Sequence, residues 1–96
     1  MTLSMTEPAL DVRRRRLLFR ATHRGTQEND LLIGGYVSRH LAGLTESQVA
    51  ALEALMDLPD TDLGDWLMGR LSIPDHIDST MLDAIRAFAL DLGQRR

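Results

Sequence analysis

The sequence predicts an all-α protein, a compact bundle of about five short helices, and three observations carry that prediction. Apolar residues recur at intervals of three and four, and β-branched residues never alternate with polar ones as they would along a strand. Aromatic residues are few: Trp66, Tyr36, Phe19 and Phe88. Helix start and stop signals also follow one another at short intervals. With 96 residues the chain has material for one domain and one modest core. That domain is expected over residues 10–93, between a disordered segment at 1–9 and a tail at 94–96.

The first helix is expected from about Leu10 to His23, with Leu10, Leu17, Leu18 and Ala21 on one stripe and Arg13, Arg16, Arg20 and Arg24 on an adjacent face. Phe19 points away from that stripe. Gly25 breaks the pattern, and Thr26 or a neighbour starts a second helix, about 27–41, carrying Leu31, Leu32, Tyr36 and Leu41. Gly34 and Gly35 inside it predict a bend or a close helix crossing. Thr45 and Gln48 have capping-box spacing, and Val49, Leu52, Leu55 and Met56 follow at helical intervals. Leu58-Pro59 ends the third helix. Asp60 or Thr61 is expected to cap a fourth, containing Leu63, Trp66 and Leu67 and closed by Gly69. A loop with Pro74 then leads to Asp78, the expected cap of a fifth helix that Gly93 ends.

Several function classes drop out. Without cysteine there is no disulfide, no thiolate nucleophile and no cysteine-held metal. His23, His40 and His76 lack metal-ligand spacing, and no nucleophile elbow or phosphate-cradling glycine loop is present, so no enzyme and no metal site is expected. No apolar run approaches the roughly 20 residues of a membrane span. The first residues lack the order of a signal peptide, which predicts a cytoplasmic protein with no membrane partner.

Charge is unevenly distributed. All eleven basic residues are arginine; residues 11–45 hold seven of them against three carboxylates, and residues 46–91 hold two against ten. This predicts a basic contact surface at one end. One reading of it is a small helical nucleic-acid-binding regulator using the Arg13–Arg24 face. Against that reading, the fourth helix carries Asp60, Asp62 and Asp65, which repel phosphate.

The segment Arg24-Gly25-Thr26-Gln27-Glu28 admits two readings. One is helix punctuation, glycine ending one helix and Glu28 complementing the dipole of the next. The other is a small docking surface, because Phe19, Arg24, Glu28 and Asp30 gather charges of both signs and an aromatic around one junction. Periodicity leaves both open.

A resemblance separates them. Arg24-Gly25-x-x-Glu28-x-Asp30-Leu31-Leu32, after a basic helix, resembles the RGxxE signature of SdhE-type FAD assembly factors, which include the mitochondrial succinate dehydrogenase assembly factor 2. Downstream, Asp60-x-Asp62-Leu63-x-x-Trp66-Leu67-x-Gly69 is similar to that family's acidic segment, so the likeness covers roughly residues 13–93. Two departures stand out: Asn29 replaces a usually apolar residue, and Gly35 doubles the glycine of the second helix. The resemblance implies a five-helix bundle that binds the flavoprotein subunit of succinate dehydrogenase, with fumarate reductase as a second candidate client. It implies promotion of covalent FAD attachment to a histidine of that client. The FAD then belongs to the client, no cofactor is bound by this chain, and the free protein is expected to be a monomer. Carried over residue by residue, the client-binding core is Arg24, Gly25 and Glu28, extended by Asp30, Phe19 and Arg20. Gly25 would admit the client backbone and Glu28 would pair with a basic or amide group. Arg24 would either pair with a client carboxylate or orient Glu28. Trp66 reads as a core anchor, and Asp60 and Asp62 as caps.

Overall fold

Asp11 opens the first helix, its carboxylate accepting the backbone N–H of Arg14 at 2.8 Å, and α1 runs Val12–Thr22. The computed structural model describes residues 11–94, with side chains as far as Asp91; Leu10, the segment expected to be disordered and residues 95–96 lie outside it. Leu17 and Ala21 are buried, as their stripe predicts, whereas Phe19 stays 61% exposed.

α2 is composite and spans residues 27–40. A single α-helical turn, Gln27–Asn29, passes into a π-helical stretch, Asp30–Gly34, and then into α-helix again, Gly35–His40, before a 3-10 turn at Leu41–Gly43. The wider π turn changes which residues face inward. Asn29, Ile33, Val37 and Leu41 form the buried row at steps of four, with Tyr36 beside them. Steps of four would drift off one face of a regular helix of 3.6 residues per turn, and the π stretch absorbs part of that drift. Leu31, expected on the buried face, is instead 62% exposed.

The glycines behave as expected of a close crossing. A Cβ on Gly34 would lie 3.0 Å from the carbonyl oxygen of Ala21 and from Cγ2 of Thr22, so its absence lets α2 pack directly on α1. One on Gly35 would press on the Phe88 ring at 3.2 Å.

α3 (Glu46–Met56) begins with the predicted capping box, Gln48 N–H donating to Thr45 Oγ1 at 3.1 Å and Thr45 N–H to Gln48 Oε1 at 2.9 Å. α4 (Asp60–Leu67) differs from expectation at its start: Pro59 occupies the cap position and Asp60 is the first helical residue, its carboxylate turned elsewhere. Gly69 ends this helix with φ +75°, a conformation few other residues adopt. Asp78 accepts the N–H of Thr80 at 2.9 Å as α5 (Thr80–Gln94) begins, and α5 continues one residue past Gly93.

α1 packs on α2 and α3, while α5 closes the other side against α2, α3 and α4. Leu17, Ile33, Leu52, Leu63, Leu82 and Ile85 meet in one core, each contributing about 1.5–3 kcal/mol by burial. Trp66, only 7% exposed, belongs to that core. Among the described residues no helix is long and apolar enough to cross a membrane, and no cluster of metal-ligating side chains occurs.

A rigid turn between α1 and α2

Four residues link α1 to α2, and their backbone is tied down from both ends. Gly25 sits at φ +103°, where a side chain would strain the chain. Thr26 caps α2, its hydroxyl accepting the Asn29 N–H at 3.1 Å, and the Asp30 carboxylate accepts the Arg24 N–H at 2.5 Å. Glu28 lies in the first turn of α2 as the punctuation reading expects, whereas α1 already ends at Thr22 and Gly25 turns the chain two residues past its cap, His23, in a turn closed by side chains of its flanks.

Arg24 is turned inward. Its side chain is only 11% exposed, and it donates from Nε to Asp60 at 2.9 Å, from Nη1 to the Met56 carbonyl at 3.1 Å and from Nη2 to the Leu58 carbonyl at 3.3 Å. A cation here satisfies carbonyls around the C-terminal end of α3, where that helix dipole favours it, and faces the Asp60 carboxylate, which the dipole of α4 favours in its first turn. Glu28 does the opposite. It lies in the first turn of α2 with its carboxylate outside, 3.8 Å from Arg70, whose Nε is held by Asp65 at 2.8 Å.

The six candidate residues thus divide by direction. Gly25, Glu28 and Phe19 face solvent, Phe19 stacking on His23 with ring centroids 4.0 Å apart. Arg24 and Asp30 are spent on holding the turn. Arg20 reaches across to Asp57 at 2.7 Å. Asp60 and Asn29, outside that set, turn out to be central: the Asn29 amide, buried, donates to the Asp60 carbonyl at 3.0 Å. Asp60 serves Arg24 instead of capping its own helix.

The expected basic surface is largely neutralised within the fold. Arg13 makes a two-pronged contact with Glu53 (2.9 and 2.7 Å) and reaches Glu46 at 3.0 Å, and the buried Arg14 donates to the Leu41 carbonyl and to Glu46. With Arg20–Asp57 and Arg24–Asp60, four arginines of the basic run already have carboxylate partners on α3, on α4 or just between them. The hydrogen bonds from Arg13 hold the Glu53 carboxyl below the ordinary glutamate range. A phosphate backbone would have to compete with these partners at four of the seven arginines, which weakens the nucleic-acid reading.

Open grooves of about 480 Å³, over the Gly69–Asp75 loop, and about 410 Å³, between Leu32, Leu67 and Leu90, lie apart from Arg24, Gly25 and Glu28. Fold and turn therefore define a class: a small helical bundle whose distinctive feature is a braced, outward-facing charged turn rather than an enclosed pocket.

Comparison with known proteins then places the chain within that class. The model of the family described as "Flavinator of succinate dehydrogenase" matches residues 15–89, and the chain belongs to that family. It is 45% identical over 78 residues to the FAD assembly factor SdhE of Acetobacter pasteurianus, covering 81% of this chain and 72% of that protein. It is 32% identical over 73 residues to the mitochondrial succinate dehydrogenase assembly factor 2 of Dictyostelium discoideum, covering 76% of this chain and 52% of that one. The Danio rerio protein of the same name is 30% identical over 91 residues, so the chain spans little more than half the length of these mitochondrial relatives. These names are those of assembly factors rather than of catalysts. No solved structure matches the chain.

Proposed function

We propose that this protein binds the flavoprotein subunit of succinate dehydrogenase and promotes covalent attachment of its FAD, acting as an assembly factor and not as a catalyst. The family match over residues 15–89 carries this reading. The geometry supports a contact at the turn between α1 and α2, where Gly25 has no side chain, Glu28 carries an outward carboxylate and Phe19 an exposed apolar ring. FAD is the client's group, and the part of this chain is to hold the client in an attachment-competent arrangement. Fumarate reductase is a second candidate client, and the protein acts in the cytoplasm as a monomer until it docks.

The test is a binding titration with purified flavoprotein subunit at 50 and 200 mM salt. Saturable binding with a shallow salt dependence is expected, because a compact docking site releases few counterions. A phosphate binder with 6–10 contacts would lose about 10³–10⁵ in affinity over that range. No binding to the flavoprotein, with steeply salt-dependent binding to duplex DNA, would overturn the proposal.

A further inference from the structure

Asp60 contacts Arg24 in the turn and Asn29 in the first turn of α2, and it lies beside Gly25. Its Oδ1 accepts Arg24 Nε at 2.9 Å and lies 3.4 Å from Asn29 Nδ2, its carbonyl accepts Asn29 Nδ2 at 3.0 Å, and its Oδ2 sits 3.5 Å from where a Cβ on Gly25 would be. The carboxylate is 27% exposed and the Arg24 side chain 11%, so the pair is partly shielded from water and screened less than a surface pair. Asn29 keeps its Oδ1 buried without a partner while its amide serves Asp60.

From this juxtaposition we infer that Asp60 is a positioning residue for client docking: through Arg24 and Asn29 it holds Gly25 and Glu28 in the arrangement that meets the flavoprotein. Arg24 then acts inward and does not touch the client. The inference rests on the docking reading above and adds a residue, 36 positions from Arg24 in sequence, that the turn itself does not contain.

The experiment compares Asp60→Asn, Arg24→Gln and the double variant of the full chain by two readouts. The first is amide exchange at Arg24, Asn29 and Asp30, whose N–H groups close the turn, against Leu82 and Ile85 of α5. The second is affinity for the flavoprotein subunit. Asp60→Asn is expected to speed exchange at the turn by about tenfold or more with α5 unchanged, a local opening rather than global unfolding. Client affinity should fall by about tenfold or more, and the double variant should lose no more than the worse single one, as coupled residues do. Unchanged exchange at the turn, or losses that multiply in the double variant, would overturn the inference, the latter because Arg24 would then meet the client directly. Should Asp60→Asn open α5 as well, Arg24→Lys tests the same brace: it keeps the charge, loses the fork, and must still loosen the turn selectively. Wild-type protein with no affinity for the flavoprotein contradicts the docking reading instead, and the exchange arm judges the brace without a client.

Discussion

Direction decides the role of each residue at the turn. Glu28 faces out with a single loose neighbour, Arg70 at 3.8 Å, and an exposed pair of this kind contributes about 0–1 kcal/mol. Glu28→Ala should therefore leave thermal unfolding almost unchanged while client affinity falls by about 30-fold or more, since truncating one member of an interfacial charge pair costs about 2–5 kcal/mol. Unfolding curves and the binding titration check the two halves separately. Trp66→Ala should behave in the reverse sense, losing about 3–5 kcal/mol in urea unfolding because it empties a core site. Gly25→Ala meets no crowding, its nearest atom being 3.5 Å away, but φ +103° alone should cost about 1–2 kcal/mol. The turn uses its glycine at φ +103°, and a glycine between two helical patterns was legible in sequence as a break. The inward course of Arg24 was not: its partner lies 36 residues on, and spacing does not say which of many carboxylates an arginine meets.

Helices were legible wherever caps and stops are local. The capping box of α3 and the glycine end of α4 appear where the sequence puts them. Thr45→Ala should cost about 1 kcal/mol of stability, measured by denaturant unfolding, with client binding intact. α2 lies where the sequence puts it, with Tyr36 and Leu41 buried, and departs from expectation at Leu31, because its apolar residues were matched to a regular helix. The true inward row, at steps of four, starts with a polar residue, Asn29, which hid it, and the π stretch that aligns it has no local sequence signal. Gly34 is the test of that element. Adding a methyl there brings it to 3.0 Å from the α1 backbone, which cannot yield as a flexible side chain does, so Gly34→Ala should destabilise by about 1–3 kcal/mol. Client binding should weaken with it, because the same crossing fixes the angle at which the turn leaves α1.

Across the whole molecule, four arginines of the basic segment, on α1 and the turn after it, form a row of ion pairs with the α3–α4 side. Net charge by segment was readable in the sequence; the pairing depends on which helices become neighbours. The row also has a pH signature. Because Arg13 lowers the Glu53 pKa in the folded state, the stabilisation is complete above the unfolded glutamate value of about 4.3 and is lost as pH falls through the lower folded value. A carbon-13 titration of Glu53 should show its midpoint rising in Arg13→Gln. The central claim, that this bundle presents a braced turn to a flavoprotein and so promotes FAD attachment, is tested most directly by covalent flavin itself. Flavin fluorescence of the denatured succinate dehydrogenase flavoprotein, read on a gel from cells with the protein, without it, or with Glu28→Ala, should be strong only in the first. Equal fluorescence in all three would contradict the account.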